Sequence, residues 1–235
     1  MTSAGEEFII FHMSRKVCIL KGSPRPEGNT NSLLKPVISE LTRADAECEE
    51  FNLYGMNIRP CLACRGCQRD WSAPACVLND DMGRIFSSML SSELILLATP
   101  IYVWYCTAPM KACLDRAAYA LNKYYGDEKG PSLWAGKKIA LISTCGYRPE
   151  KGTDLLEEGL KRYCKHSGLQ YLGKIAERHL GYNVEFMDAE KEQRARNFGR
   201  RLLRELWREP CAKDFADAPA GISTAGSCGS SEASD

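Results

Sequence analysis

Four stretches of this chain carry residues whose types and spacing could do chemistry. The first is KGSPRPEGNTNSLL, Lys21 to Leu34, set directly behind the apolar run Val17 to Leu20. Gly22 and Gly28 permit close backbone approach. Ser23, Asn29, Thr30, Asn31 and Ser32 place hydroxyls and amides around a helix start whose unpaired N–H groups favour an anion. Arg25 adds a cation to the same loop. The ligand this suits is a phosphate monoester, because a nucleoside triphosphate loop needs Gly-Lys-Ser/Thr and a dinucleotide site needs Gly-x-Gly-x-x-Gly, and the stretch has neither. Taken alone, it could equally be a Gly/Pro surface turn between a strand and a helix.

The second stretch is PCLACRGCQRDWSAPACVLNDDM, in which Cys61, Cys64, Cys67 and Cys76 are spaced C-x2-C-x2-C-x8-C. Four thiolates so close in sequence suffice for a [4Fe-4S] cluster, and the compact C-x2-C-x2-C opening is an iron-sulfur spacing. Zinc on the same four is a second reading, although zinc sites more often use two separated C-x2-C pairs. Free thiols in a lid or dimer-contact loop are a third. The third stretch is ATPIYVWYC, from Ala98 to Cys106. Pro100 holds Thr99 extended, and Ile101, Tyr102, Val103, Trp104 and Tyr105 supply a flat apolar wall suited to a planar ring system. Core packing of those aromatics is the competing reading. The fourth, Ser143 to Tyr147, offers Thr144, Cys145, Gly146 and Tyr147, with a glycine where backbone could approach a ligand and hydroxyls for a polar ring edge. Lys111 and Asp115, four apart, read as a solvent ion pair, and His12, His166 and His179 lack metal or catalytic spacing.

These stretches alternate with apolar runs and helical patterns. The pattern predicts strands at 17–21, 47–53, 93–98, 138–143 and 169–176, and helices at 30–43, 81–91, 107–123, 153–167 and 188–208. Five strand-helix units imply an α/β fold with a parallel, doubly wound sheet. Leu94 to Ala98 and Ile139 to Ile142 are continuously apolar, as strands covered by helices on both faces should be. In such a sheet ligands sit at the carboxyl ends of the strands where the winding reverses, which for the order 2-1-3-4-5 lies between the first and third strands. The loops after strands one, three and four should therefore converge. Residues 55–80 form a long insertion with a task of its own. The expected organisation is an N-terminal extension at 1–15, one domain at 16–209 and a flexible tail at 210–235, where the composition turns to Ala, Gly, Ser and Asp.

With 235 residues and 44% hydrophobic content the chain can bury one core. A net charge of +1 argues against a nucleic-acid face. No apolar run approaches the roughly 20 residues of a membrane span, so neither a membrane nor an exported location is expected and the cytoplasm is. Twelve cysteines are many for that compartment, which makes the clustered ones metal or redox candidates.

GSPRPEGNT, ATPIY, the run APMKACLDR from Ala108 to Arg116 and the cysteine loop ending in Asp80-Asp81-Met82 resemble the NADPH-dependent FMN reductase and iron-sulfur flavoprotein families. The last cysteine gap is wider than the latter family's usual one. The resemblance implies a flavodoxin-like fold and FMN held by Ser23, Arg25, Gly28, Asn29, Thr30, Asn31 and Ser32 at its phosphate. It implies Pro100, Ile101, Tyr102, Val103 and Trp104 along the ring, and Thr144, Cys145, Gly146 and Tyr147 at the ring's polar edge. NAD(P)H would be the co-substrate and a quinone, nitro or azo compound the small-molecule acceptor, with no protein residue as obligatory acid or base. The alternative it implies is an electron-transfer module with FMN and a [4Fe-4S] cluster on Cys61, Cys64, Cys67 and Cys76. A homodimer or homotetramer is expected from the resemblance and from the apolar surface of loop 100–106 and helix 107–123 (Ile101, Trp104, Tyr105, Met110, Leu114 and Tyr119, with Tyr124 and Tyr125 just beyond).

Overall fold

The computed structural model describes residues 15–181 and 183–208; the expected tail and, Arg15 apart, the expected extension lie outside the described residues. Five strands, β1 (Lys16–Lys21), β2 (Glu47–Asn52), β3 (Leu94–Pro100), β4 (Lys138–Cys145) and β5 (Gln170–Arg178), form one parallel sheet in the order β2-β1-β3-β4-β5. The helices are α1 (Asn29–Arg43), α2 (Met82–Ser91), α3 (Ala108–Leu121), the single turn α4 (Pro149–Gly152), α5 (Asp154–Ser167) and α6 (Ala189–Trp207). The sheet is parallel and doubly wound, as the alternation implied, and the fold is flavodoxin-like, as the resemblance implied.

Successive side chains of a strand face opposite ways, so each central strand feeds two cores. Cys18, Leu20, Ile95, Leu97, Ile139 and Leu141 pack with α2, α3 and α5, through residues such as Ile85, Met110 and Leu160. Val17, Ile19, Leu94, Leu96, Ala140 and Ile142 pack on the other face with Leu33, Val37, Phe198 and Leu202 of α1 and α6. β3 and β4 are buried along their whole length, whereas the edge strand β2 buries only Phe51 outright. On the second face the two helices are also clipped by charge. Glu40 of α1 accepts from Arg196 Nη1 at 2.9 Å and Arg200 Nε at 3.0 Å.

β3 and β4 run further than the apolar pattern shows. Pro100 pairs with Thr144, and Ile101 N donates to Thr144 O at 2.8 Å, so Pro100, Thr144 and Cys145 are strand ends rather than free loop. The pattern undercounts them because Thr99, Ser143 and Thr144 are polar, yet all three are buried. The apolar surface of α3 is also placed differently from the expectation of a subunit interface. Met110 and Leu114 are buried and Tyr119 packs against the first core. The 3-10 turn Gly66–Arg69 of the cysteine loop lies over the helix, with Gln68 Nε2 donating to Tyr119 O at 2.6 Å and Asn122 O at 3.1 Å.

Candidate functional site

Three strand-end loops are stitched to one another. Thr107 Oγ1, at the head of α3, donates to Gly22 O at 2.8 Å and ties the first loop to the third. Thr30 and Thr144 share a buried 2.7 Å hydroxyl contact that ties the first to the fourth. The 2.8 Å bond from Ile101 N to Thr144 O ties the third to the fourth.

The first loop ends at Gly28, the N-cap of α1. A Cβ there would stand 2.9 Å from Arg25 Cβ and 3.1 Å from Arg25 O, so the loop closes only around glycine. No side chain caps α1 and its first turn holds no acidic residue, which leaves the positive helix end to a ligand. Two of the expected phosphate ligands are engaged in shaping this loop. Ser23 Oγ accepts from Arg25 N at 3.2 Å, and Asn31 Nδ2 donates to Arg25 O at 3.1 Å and Pro26 O at 2.9 Å. Thr30 is buried against Thr144, and Ser32 Oγ returns to Gly28 O at 3.3 Å. Arg25 is exposed and Asn29 half-buried. The cradle is thus backbone N–H with Arg25 and Asn29 at its rim, which fits the phosphate of FMN.

In the third loop Tyr102 and Tyr105 exchange both backbone bonds, at 2.9 and 3.1 Å, around Val103 (φ 51°) and Trp104 (φ 64°). This is a two-residue turn with both central residues left-handed, a geometry that favours Asn-Gly. It carries Val-Trp instead. Tyr102, Val103, Trp104 and Tyr105 are all exposed, so core packing does not account for them. Trp104 stacks on Tyr147, centroids 5.7 Å apart and planes 14° apart, and its Nε1 donates to Lys151 O at 3.2 Å. Gly146 offers open space above its backbone, and its carbonyl accepts from Arg178 Nε at 3.0 Å. Cys145 is buried, which pushes its thiol up. Tyr54, in the turn after β2, was not singled out by the sequence. It is exposed beside this site, and partial desolvation, with Tyr102 nearby, pushes its hydroxyl up.

Cys61, Cys64, Cys67 and Cys76 line one cavity with Leu78, Arg116 and Tyr119. The backbone turns left-handed at Ala63, Arg65 and Ala75, beside Cys64 and before Cys76, at about 1–2 kcal/mol each for non-glycine residues. A Cβ at Gly66 would lie 2.5 Å from Val77 Cγ1, so the loop is folded tightly on itself. Among the described residues no three metal-binding side chains are grouped to hold a single ion. Four soft sulfur donors around one cavity nevertheless fit an iron-sulfur group by donor chemistry. Sequence reasoning missed what holds this loop. Asp80, fully buried, accepts from Arg116 Nη1 at 2.6 and 2.8 Å, from Arg59 N at 3.1 Å and from Met82 N at 3.2 Å. Burial alone would raise the Asp80 carboxyl, but Arg116 and the two backbone donors together hold it below its usual range. Lys123 is buried and donates to Cys67 O at 2.8 Å, Ala73 O at 2.7 Å and Pro74 O at 3.3 Å, and burial pushes its ammonium down. Lys111 and Asp115 pair in solvent, and His166 meets Tyr125 Oη at 2.7 Å.

The family model described as NADPH-dependent FMN reductase matches residues 15–192. The chain belongs to that family. An iron-sulfur flavoprotein of Methanocaldococcus jannaschii is 31% identical over 102 residues, which cover 43% of this chain and 51% of that protein. The chain thus spans about half the length of this curated relative. Among solved structures, an NAD(P)H:quinone oxidoreductase from Methanothermobacter marburgensis aligns with TM-score 0.58 at 23% identity, covering 81% of this chain and all of that one. An FMN-dependent NADH-azoreductase from Bacillus anthracis, in complex with FMN, aligns with TM-score 0.60 at 15% identity, covering 82% and 100%. At these identities the structural likeness bears on the fold. No helix among the described residues is long and apolar enough to cross a membrane.

Proposed function

We propose that this protein is an FMN-dependent NAD(P)H oxidoreductase that reduces a small acceptor such as a quinone, nitro or azo compound. The observation that carries the reading is the closed set of ties among the first, third and fourth loops at the switch point of the sheet. FMN, when bound, supplies hydride acceptance from NAD(P)H and electron delivery to the acceptor. The chain's own part is placement. The uncapped α1 terminus, with Arg25 and Asn29, holds the phosphate. The strained Tyr102–Tyr105 turn sets Tyr102 and Trp104 along the ring, and the Gly146 backbone borders its polar edge. We assign no side chain as an obligatory acid or base, and the chain's contribution is then geometry and access. A second copy of the chain is the proposed cover for Tyr102, Val103, Trp104, Tyr105 and Tyr147, which one chain leaves exposed.

A second reading, an iron-sulfur flavoprotein acting as an electron-transfer module, is favoured by the four cysteines around a single cavity. Cys61, Cys64, Cys67 and Cys76 would then supply all four ligands, and Arg116 and Lys123 would hold the loop that presents them. Absorption spectra of anaerobically purified protein before and after NADPH separate the two. Flavin bands that bleach with NADPH support the oxidoreductase, and a broad shoulder beside them, with iron and sulfide by analysis, adds the cluster. A colourless protein that takes up no FMN would refute both.

A further inference from the structure

Among the described residues, Arg116 is the buried side chain of the cysteine cavity that has a polar atom without a partner. It lies within α3 with its side chain 1% exposed and lines the cavity together with all four cysteines of the loop. Nη1 is held by both Asp80 oxygens and also donates to Arg59 O at 3.3 Å. Nη2 donates to Cys76 Sγ at 3.3 Å. Nε is buried and has no acceptor among the described residues. Its guanidinium stays protonated at any working pH, so that N–H is always a donor, and a buried donor of a charged group is costly to leave unmatched. Asp80 neutralises the charge by direct contact at Nη1 but leaves Nε without an acceptor. A group assembled on four thiolates is anionic and presents sulfur acceptors. The acceptor missing from Nε is what an occupant of that kind would bring.

We infer that Arg116 is the positioning and potential-setting residue of the cysteine site, donating from Nη2 to Cys76 Sγ and from Nε to a sulfur of the iron-sulfur group bound there. The inference rests on the cluster reading given above. Hydrogen bonds to cluster sulfurs favour the more negative, reduced form, so Arg116 raises the potential. Lysine at this position keeps a cation for Asp80 and loses the donors to sulfur.

The test uses full-length protein reconstituted anaerobically with iron and sulfide. Wild type and Arg116→Lys should both load about four of each per chain. The variant should then show a lower midpoint potential and a several-fold faster loss of iron to a chelator. Equal potentials and equal loss rates would overturn the role of Arg116 while leaving the cluster standing. A wild type that takes up neither iron nor sulfide overturns the cluster reading, and the Arg116 role with it. Should the variant fail to fold, wild type labelled with 15N only at arginine decides the matter by pulsed electron paramagnetic resonance. A guanidinium 15N coupling to the reduced cluster supports the inference, and its absence defeats it.

Discussion

Val103→Gly should make this protein more stable and worse at holding flavin. Val103 sits at φ 51° and is 80% exposed, so its side chain buries almost nothing while its backbone occupies the left-handed region. That conformation costs a non-glycine residue about 1–2 kcal/mol, with β-branched residues at the upper end. Glycine removes the cost but frees the unfolded chain, which offsets about 0.5–1 kcal/mol of it. The net is a gain of about 0.5–1 kcal/mol, or a rise of about 1–4 °C in Tm for a chain of this size. Thermal unfolding of the FMN-free protein by circular dichroism measures it. The same change loosens the turn that sets Tyr102 and Trp104. Fixing one residue's backbone again on binding costs about 1–2 kcal/mol, so FMN affinity by fluorescence titration should fall about tenfold. A lower Tm, as expected for glycine replacing an unstrained exposed valine, would refute the strain. Unchanged FMN affinity would refute the turn's role in binding.

Thr30→Val leaves the buried Thr144 hydroxyl without its partner and should cost about 1–3 kcal/mol in urea unfolding, with Thr30→Val/Thr144→Val recovering part of the loss. Thr30→Asp, which adds like charge at the phosphate loop, should expel FMN, and retention at full affinity would move the phosphate elsewhere. Trp104→Ala should change bound-flavin fluorescence more than Tm, because Trp104 is exposed and stacks only on Tyr147; a lowered Tm with an identical flavin spectrum would contradict this. Asp80→Asn should cost about 3–5 kcal/mol near neutral pH by leaving Arg116 buried without its counter-ion. The Asp80 pKa is depressed in the folded state, so its contribution is complete above the ordinary value of 3.8 and is lost as pH falls through the lower folded value. The stability gap between wild type and variant should therefore close below about pH 4 in acid unfolding, and a gap constant down to pH 2 would show that the ion pair is not its source.

The sheet was legible because β1, β3 and β4 are apolar wherever two helix layers cover them, and chain order then limits the topology. The convergence of the three loops followed from that topology, not from their residues. Three features were not legible, each for a physical reason. Left-handed backbone at Val103, Trp104, Ala63, Arg65 and Ala75 is invisible because a positive φ is signalled by glycine or asparagine, and these positions carry neither. The Asp80–Arg116 pair joins residues 36 apart, and the run containing Arg116 reads equally well as a solvated helix face. Lys123 has carbonyl oxygens for partners, and no pattern of side chains announces those. Asn31 shows how local contacts also escape the sequence. Its amide nitrogen donates to the loop's own carbonyls, Arg25 O and Pro26 O, which no residue pattern announces.

α3 gives the two candidate sites a common support. Its head, Thr107, is bonded to the first loop. Nine positions on, about 13 Å along a helix axis, Arg116 carries Asp80 and Cys76, and beyond it Tyr119 and Lys123 hold the carbonyls and sulfur of the cysteine loop. All strands run the same way, so β2 delivers the cysteine loop to the edge of the sheet from which the first, third and fourth loops also depart. A parallel sheet thereby forces adjacency, and a rigid helix fixes the distance. Beside the core contacts of Met56, Ile58, Cys67 and Cys76, buried ion pairs and strained turns hold the loops there. These devices confer position at some expense of stability, and position is what electron exchange between a planar ring and a nearby sulfur-held group would require.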